Sequence, residues 1–386
     1  MPQLTEPANL PPAPFNETNR VFFDSTIRQT VHLSIGAPQI RIRLSNTFGT
    51  TDLPITAVTV ALPFNGSAGT PIIQPNTLQP VTFSGSSDFT VPNGALVVSD
   101  PIDLPVEAQS MLTITVYLAN GQQGNAITSH PGSRTTSWFS LGDHTSSENL
   151  TSISAASAAH WYFISSVEAL VPRTSKALAI VGDSITDGRG STTDANNRWS
   201  DRLLAKMQQD PSTSSIAVLN QAAGGNRILN DGLGPNALGR IDRDVLSHSG
   251  VKYAMIFEGV NDIGTALPTA AAQKTIGDRI ISAYQQIITR VQALDILIFA
   301  ATITPFCGNA AVQPYSDPER ERTRQRINDW IRTSGSFDAV IDFDVILRDP
   351  KNQSMLNPLY DTGDYLHPNP AGYQKIADEF PLDIFS

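Results

Sequence analysis

Up to about residue 172, apolar and polar positions alternate with a period of two between turn signals. The runs are TVHLSI (30–35), QIRIRLS (39–45), ITAVTVAL (55–62), MLTITVYL (111–118) and HWYFISSVEAL (160–170). Successive side chains of a strand point to opposite faces, so each run predicts a strand with one buried face. Proline, glycine and serine crowd the stretches between them, such as LPFNGSAGTP and FSGSSDFTVPNG, and no helical stripe interrupts the series. The pattern predicts an all-β domain over residues 1–172, an antiparallel sandwich or jelly-roll-like unit.

After VPRTSK the apolar runs become short and unbroken: ALAIVGD (177–183), SIAVLNQA (215–222), YAMIFEG (253–259), ILIFAATI (296–303) and AVIDFDVI (339–346). Strands buried on both faces read this way. Between them Ile276, Ile280, Ile281, Tyr284, Ile287, Ile288, Val291 and Leu294 recur at helical spacing, and Trp199, Leu203, Leu204 and Met207 form a shorter stripe. Five parallel strands joined by right-handed helical crossovers predict an α/β domain over residues 173–386, a doubly wound sheet in three α/β/α layers. The charged run PERERTRQR (318–326) reads as the solvated face of a helix before Trp330.

Composition narrows the partners. Lys and Arg number 26 against 36 Asp and Glu, a formal charge of -10 over 386 residues. Phosphate backbones and anionic membrane surfaces are repelled on average, so neither nucleic acid nor membrane insertion is expected. No run reaches the 18 or so apolar residues of a membrane span, and the opening MPQLTEPANLPPAPFN has no leader-like apolar region. The lone cysteine, Cys307, excludes an internal disulfide and a cysteine-based zinc site, and is expected in the core. Sequons at Asn16, Asn65, Asn149 and Asn352 are no more frequent than chance allows and do not establish secretion.

Ligands of an open parallel sheet bind beyond the carboxyl ends of its strands. Those positions hold Gly182, Asp183 and Ser184 after the first strand, Gly224, Gly225 and Asn226 after the second, and Gly259, Asn261 and Asp262 after the third; a C-terminal loop adds Asp364 and His367. A serine hydroxyl needs an imidazole to take its proton, and the imidazole needs a carboxylate to fix its tautomer. The three-residue spacing of Asp364 and His367 lets an acid reach the ring within one turn. Attack on an ester makes an oxyanion, for which the backbone at Ser184 and Gly225 and the amide of Asn261 are candidate donors. Asn261 and Asp262 also read as a helix cap, and Asp364 as a turn residue before Pro368. His32, His130, His144, His160 and His248 lack an acid and a serine in context and are expected at the surface or in packing.

With these residues in place the chain resembles the GDSL or SGNH hydrolase superfamily. GDSI (182–185) looks like its first block, Gly225 in NQAAGGN like its glycine block, GVND (259–262) like its Gly-x-Asn-Asp block and DYLH (364–367) like its Asp-x-x-His block, in that order. Ile185 stands where the family's name has leucine, a volume-conserving exchange. Counting five residues from Asn220 selects Gly225 over Gly224. The resemblance covers about residues 175–380. It implies a flavodoxin-like sheet, Ser184 as nucleophile, His367 with Asp364 as its base pair, an oxyanion hole of Ser184, Gly225 and Asn261, and neither metal nor cofactor. The first 172 residues look like the β-domain found ahead of some bacterial and fungal members.

The function expected on that footing is a serine carboxylic ester hydrolase with a seryl-acyl intermediate, acting on short-chain, chiefly acetyl, esters such as O-acetylated carbohydrates. Small-molecule or polysaccharide esters are then the partners. An acyltransferase or a lipid or aryl esterase would use the same residues, and a carbohydrate-binding protein with a decayed hydrolase domain is the non-enzymatic alternative. Asp183, Arg189, Asn226 and Arg227 adjoin these positions and either touch substrate or pair locally. A secreted protein whose leader is absent from this chain is the expected location, with the cytoplasm as the alternative.

Overall fold

A computed structural model describes residues 1–385, which divide into two compact units: Met1–Pro172 with Thr193–Asn196, and Arg173–Thr192 with the residues from Asn197 onward. The first unit is built from antiparallel sheets. A six-stranded sheet runs in the order Ala156–Ala158, Ser137–Leu141, Ser25–His32, Met111–Leu118, Ala57–Ala61, Gln79–Pro80. A three-stranded sheet is formed by Leu96–Val98, Ile40–Ser45 and Ile164–Ala169. Ile27 and Val31 of the first sheet and Ile40, Ile42 and Leu44 of the second meet in one apolar core, the sandwich that the alternation predicts.

The central strands are not solvated on their polar face. Ser25–His32 is buried at every position but its last. Arg28 leaves that strand fully buried, and its guanidinium donates to the carbonyls of Pro71 (2.8 Å) and Ser147 (2.7 Å) and to the Thr115 hydroxyl (3.0 Å). Burial lowers its pKa to about 10. The loops around residues 71 and 147 therefore cover this face, held by a buried charge that finds carbonyl acceptors in place of water. The run 160–170 also departs from one strand: it splits into Trp161–Tyr162 and Ile164–Ala169 around Phe163, whose φ of 62° breaks the extension.

The second unit contains five parallel strands, β1 (Lys176–Gly182), β2 (Ile216–Ala222), β3 (Val251–Phe257), β4 (Leu297–Ala301) and β5 (Ala339–Ile341), in the order β2-β1-β3-β4-β5. This is the doubly wound, flavodoxin-like order. Side chains of β1 alternate between two cores: Ala177, Ala179 and Val181 face one, Leu178 and Ile180 the other. Helices α5 (Ala270–Gln292) and α6 (Pro318–Thr333) supply Ile280, Ile287, Ile327 and Ile331 to the first core. Helices α2 (Trp199–Met207) and α8 (Pro370–Glu379) supply Trp199, Leu203, Tyr373 and Ile376 to the second, completing three layers.

Four expectations need correction. The run 339–346 is a strand only as far as Ile341, because the Asp342 side chain accepts the Val345 N–H and caps helix α7 (Phe343–Leu347). Leu294 lies past the end of α5 and is exposed. The PERERTRQR run is not wholly solvated: Arg324 is fully buried, paired with Asp344 at 2.9 Å and Glu321 at 2.7 Å. Cys307 is half-buried at the edge of the first core.

Candidate active site

Register aligns the ends of three adjacent strands, with β1 between the other two: Gly182 of β1 lies opposite Ala222 of β2 and Phe257 of β3. Because β1 lies between β2 and β3, the loop that follows it is flanked by the loops carrying Gly225 and Asn261. Asp183 caps the short helix α1 (Ser184–Asp187) by accepting the Ile185 N–H at 2.9 Å, which makes Ser184 its first residue. The fold-back needs Gly182, since a Cβ there would lie 2.5 Å from the Thr186 side chain.

Ser184 Oγ is 2.8 Å from His367 Nε2, and His367 Nδ1 is 2.6 Å from Asp364 Oδ2. The other carboxylate oxygen of Asp364 accepts the N–H groups of Leu366 (3.0 Å) and His367 (2.8 Å). Partial burial alone would raise Asp364, but the hydrogen bond and charge of His367 outweigh it and, with these two amides, hold the carboxyl well below its usual range. The acid is thus ionised and the histidine's Nδ1 is committed to it, which directs Nε2 at the serine. Ser184 is 8% exposed and His367 5%. Asp364 therefore serves as more than a turn residue before Pro368.

The loop after β2 carries Gly225 in the left-handed region at φ 68°. Asn261 is the second residue of α4 (Val260–Thr265), and its Nδ2 donates to the Asn226 carbonyl at 2.9 Å. Its neighbour Asp262 accepts the N–H groups of Ile228 (2.8 Å) and Leu229 (3.0 Å), so both side chains of the GVND run hold the loop after β2. Neither caps α4, whose N-cap is Gly259. The Ser184 and Gly225 N–H groups have no hydrogen-bond acceptor among the described residues. An amide hydrogen of Asn261 remains beyond the one given to Asn226. Two backbone donors and one side-chain donor on adjacent loops can receive a negative oxygen formed at Ser184.

Three of the four flanking candidates are engaged elsewhere. Asp183 is 1% exposed and turned into the α1 cap. Asn226 is 1% exposed; its nitrogen donates to Pro235 O at 2.8 Å and its oxygen accepts Arg240 Nη2 at 2.8 Å, so the side chain is turned inward. Arg227 donates to the Asp231 carbonyl. Arg189 is exposed, with its backbone pinned by Ser184 and Tyr373 and its side chain making no hydrogen bond or ion pair among the described residues.

Beneath the site lies a group that the strand-end reading misses. Arg240, on α3 (Ala237–Ile241), is 2% exposed, and its guanidinium reaches Gly182 O (3.3 Å), Gln221 O (2.5 Å), Asp244 (3.0 Å) and, at 3.6 Å, Glu258. One cation thus ties the ends of β1, β2 and β3. Burial, helped by the carboxyls of Asp262 and Asp187, pushes Asp183 up to about 7, and burial and the Asp183 charge push Glu258 well above its ordinary value. Burial likewise raises Asp262 to about 6, against the two amides it accepts. Tyr315, also unread in sequence, donates its hydroxyl proton to Asn261 Oδ1 at 3.1 Å. An arginine on a helix and a tyrosine in a loop carry no periodic signal that separates them from surface residues.

No curated protein matches the chain. Among solved structures it is similar to an acetylxylan esterase from Geobacillus stearothermophilus, at 20% identity over 56% of this chain and 97% of that one, with a TM-score of 0.41. It is also similar to a GDSL-like lipase from Bacteroides thetaiotaomicron, at 17% identity over 56% of this chain and 91% of that one, with a TM-score of 0.40. Residues 180–375, just over half of the chain, match the GDSL-like lipase/acylhydrolase family and take in Ser184, Gly225, Asn261, Asp364 and His367. The chain belongs to that family of hydrolases.

Proposed function

We propose that the chain is a serine carboxylic-ester hydrolase acting through a seryl-acyl intermediate. The observation that carries this reading is the continuous Ser184–His367–Asp364 hydrogen-bond series, 2.8 Å and then 2.6 Å. His367 Nε2 takes the hydroxyl proton as Ser184 Oγ attacks the ester carbon, and the carbonyl oxygen becomes an anion received by Ser184 N–H, Gly225 N–H and the Asn261 amide. Collapse breaks the bond to the alcohol oxygen, which leaves with the proton held by His367. Water then repeats the sequence on the acyl-enzyme, with His367 as base, and releases the carboxylic acid and free Ser184. Asp364, ionised throughout, orients the ring and stabilises its charged form.

The substrate we propose is a short-chain, chiefly acetyl, ester of a carbohydrate. The nucleophile is only 8% exposed, which favours a small acyl group over a bulky one. A fluorophosphonate probe tests the nucleophile: it labels wild type and leaves Ser184→Ala unlabelled, whereas labelling of another serine in that variant overturns the assignment. p-Nitrophenyl esters of increasing chain length, run beside acetylated xylan fragments, test the substrate. A rate that climbs beyond butyrate contradicts the acetyl preference.

A further inference from the structure

The segment between β4 and α6 touches both halves of the candidate machinery. Tyr315 OH lies 3.1 Å from Asn261 Oδ1. The Asn226 carbonyl at 2.9 Å can only accept, so the nitrogen of the Asn261 amide must face it, and the oxygen faces Tyr315. The phenol is then the donor. Burial, and after it the nearby Asp183 carboxyl, raise the Tyr315 phenol above its ordinary value, so the donor keeps its proton.

Packing holds that phenol in place. The ring lies against α4 one turn beyond Asn261, where a Cβ on Gly264 would come within 2.3 Å of Tyr315 Cδ2. Gln313, 5% exposed, accepts the Tyr315 N–H at 3.1 Å through Oε1 and donates through Nε2 to the Asp364 carbonyl at 3.1 Å. The same side chain thus ties the tyrosine to the turn that carries the acid and the histidine.

We propose that Tyr315 is a positioning residue for the oxyanion donor: it fixes the Asn261 amide with one N–H left for the reacting oxygen and strengthens that donor by polarising the amide through Oδ1. A hydrogen bond to the amide oxygen draws electron density from the nitrogen, and chained hydrogen bonds reinforce one another in a dry site. The proposal rests on the reading of Asn261 as an oxyanion donor. Tyr315 itself touches no reacting atom.

Tyr315→Phe keeps the ring and removes only the hydroxyl. Deleting a direct oxyanion donor costs on the order of 100-fold in kcat, so loss of its orienting bond is expected to lower kcat about tenfold, with KM within about twofold of wild type. The inhibition constant of phenylboronic acid, whose serine adduct mimics the tetrahedral anion, should rise by a similar factor. Rates are taken per site titrated with fluorophosphonate, so a loss of folded protein does not register as a loss of kcat. In the Asn261→Ala background the same change should alter kcat less than about twofold, because the two act through one group. A Tyr315→Phe enzyme with wild-type kcat per titrated site, or a loss of equal size in both backgrounds, overturns the proposal while leaving Asn261 its role. Asn261→Ala with wild-type kcat overturns the reading beneath it as well.

Discussion

The hydroxyl of Tyr373 donates to the backbone carbonyl of Arg189 at 2.5 Å. This bond links α8, which starts just after His367, to the turn just after α1, which starts at Ser184. The same turn needs Gly190, because a Cβ there would sit 2.4 Å from the Pro368 carbonyl. Two chain segments far apart in sequence are therefore fastened beside the Ser184–His367 contact and not only through it. Tyr373→Phe removes the bond and keeps the buried ring, so it should cost about 1 kcal/mol of stability and lower kcat a few-fold. Denaturant unfolding and steady-state ester kinetics check both; an unchanged midpoint and rate would show the tie to be idle.

The two adjacent glycines should respond differently to alanine. At Gly225 the backbone sits at φ 68°, and a Cβ would lie 2.6 Å from Leu233 Cδ1. At Gly224 the nearest atom to an added Cβ is Asp187 Oδ2 at 3.7 Å, an ordinary contact. Gly225→Ala must shift either Leu233 or the Gly225 backbone and its amide, and the expected loss of kcat is about tenfold or more. Gly224→Ala should stay within about twofold of wild type. The reverse order in kinetic assays would reassign the oxyanion donor to Gly224.

The site was legible because its residues combine two independent signals. Ser184, Gly225 and Asn261 follow unbroken apolar runs, and a parallel sheet gathers its strand ends at one rim, so position in the sequence places all three there, while the choice of Gly225 over Gly224 took the family's spacing. Asp364 and His367 needed only local spacing. Other parts were hidden for physical reasons. Arg28, Arg240 and Arg324 are buried, yet an arginine reads as solvated unless the acids and carbonyls that desolvate it are known, and those come from distant segments. Helix α7 was masked because Asp342 diverts an apolar run at one capping bond, and a two-residue signal is weaker than an eight-residue pattern. Asn226 adjoins Gly225 but points into the protein, a choice made by Arg240 and Pro235.

Arg240 should be a stability residue first and a rate residue second. Arg240→Met leaves Glu258 without its arginine and Asp244 with Arg243 alone, and takes one donor from the Gly182 and Gln221 carbonyls; breaking a buried pair this way costs about 3–5 kcal/mol. Lysine restores the charge but not the planar fork that spans three strand ends, so Arg240→Lys should recover only part of that loss. Chemical denaturation of both variants gives the answer. Full recovery by lysine would mean that charge, not geometry, is what Arg240 contributes.

Asp183 gives the fold a pH dependence of defined sign. Burial first, with the neighbouring Asp262 and Asp187 carboxyls, raises its pKa to about 7 against the Ile185 N–H that lowers it. An unfolded aspartate titrates near about 3.9, so between these values the folded state holds a proton that the unfolded state has released. Stability therefore falls as pH rises through this window, and is least burdened below it. Glu258 and Asp262, also raised, act in the same direction. Asp364, held low, acts in the opposite direction only at pH below the usual carboxylate range, outside a scan from about pH 5 to 8. The thermal midpoint should accordingly drop from about pH 5 to 8. Asp183→Asn keeps an oxygen to cap Ile185 but cannot ionise, so its midpoint should fall less steeply across the same range. A midpoint that rises with pH in the wild type, or an equal slope in the variant, would show that Asp183 is ionised in the folded protein despite its burial.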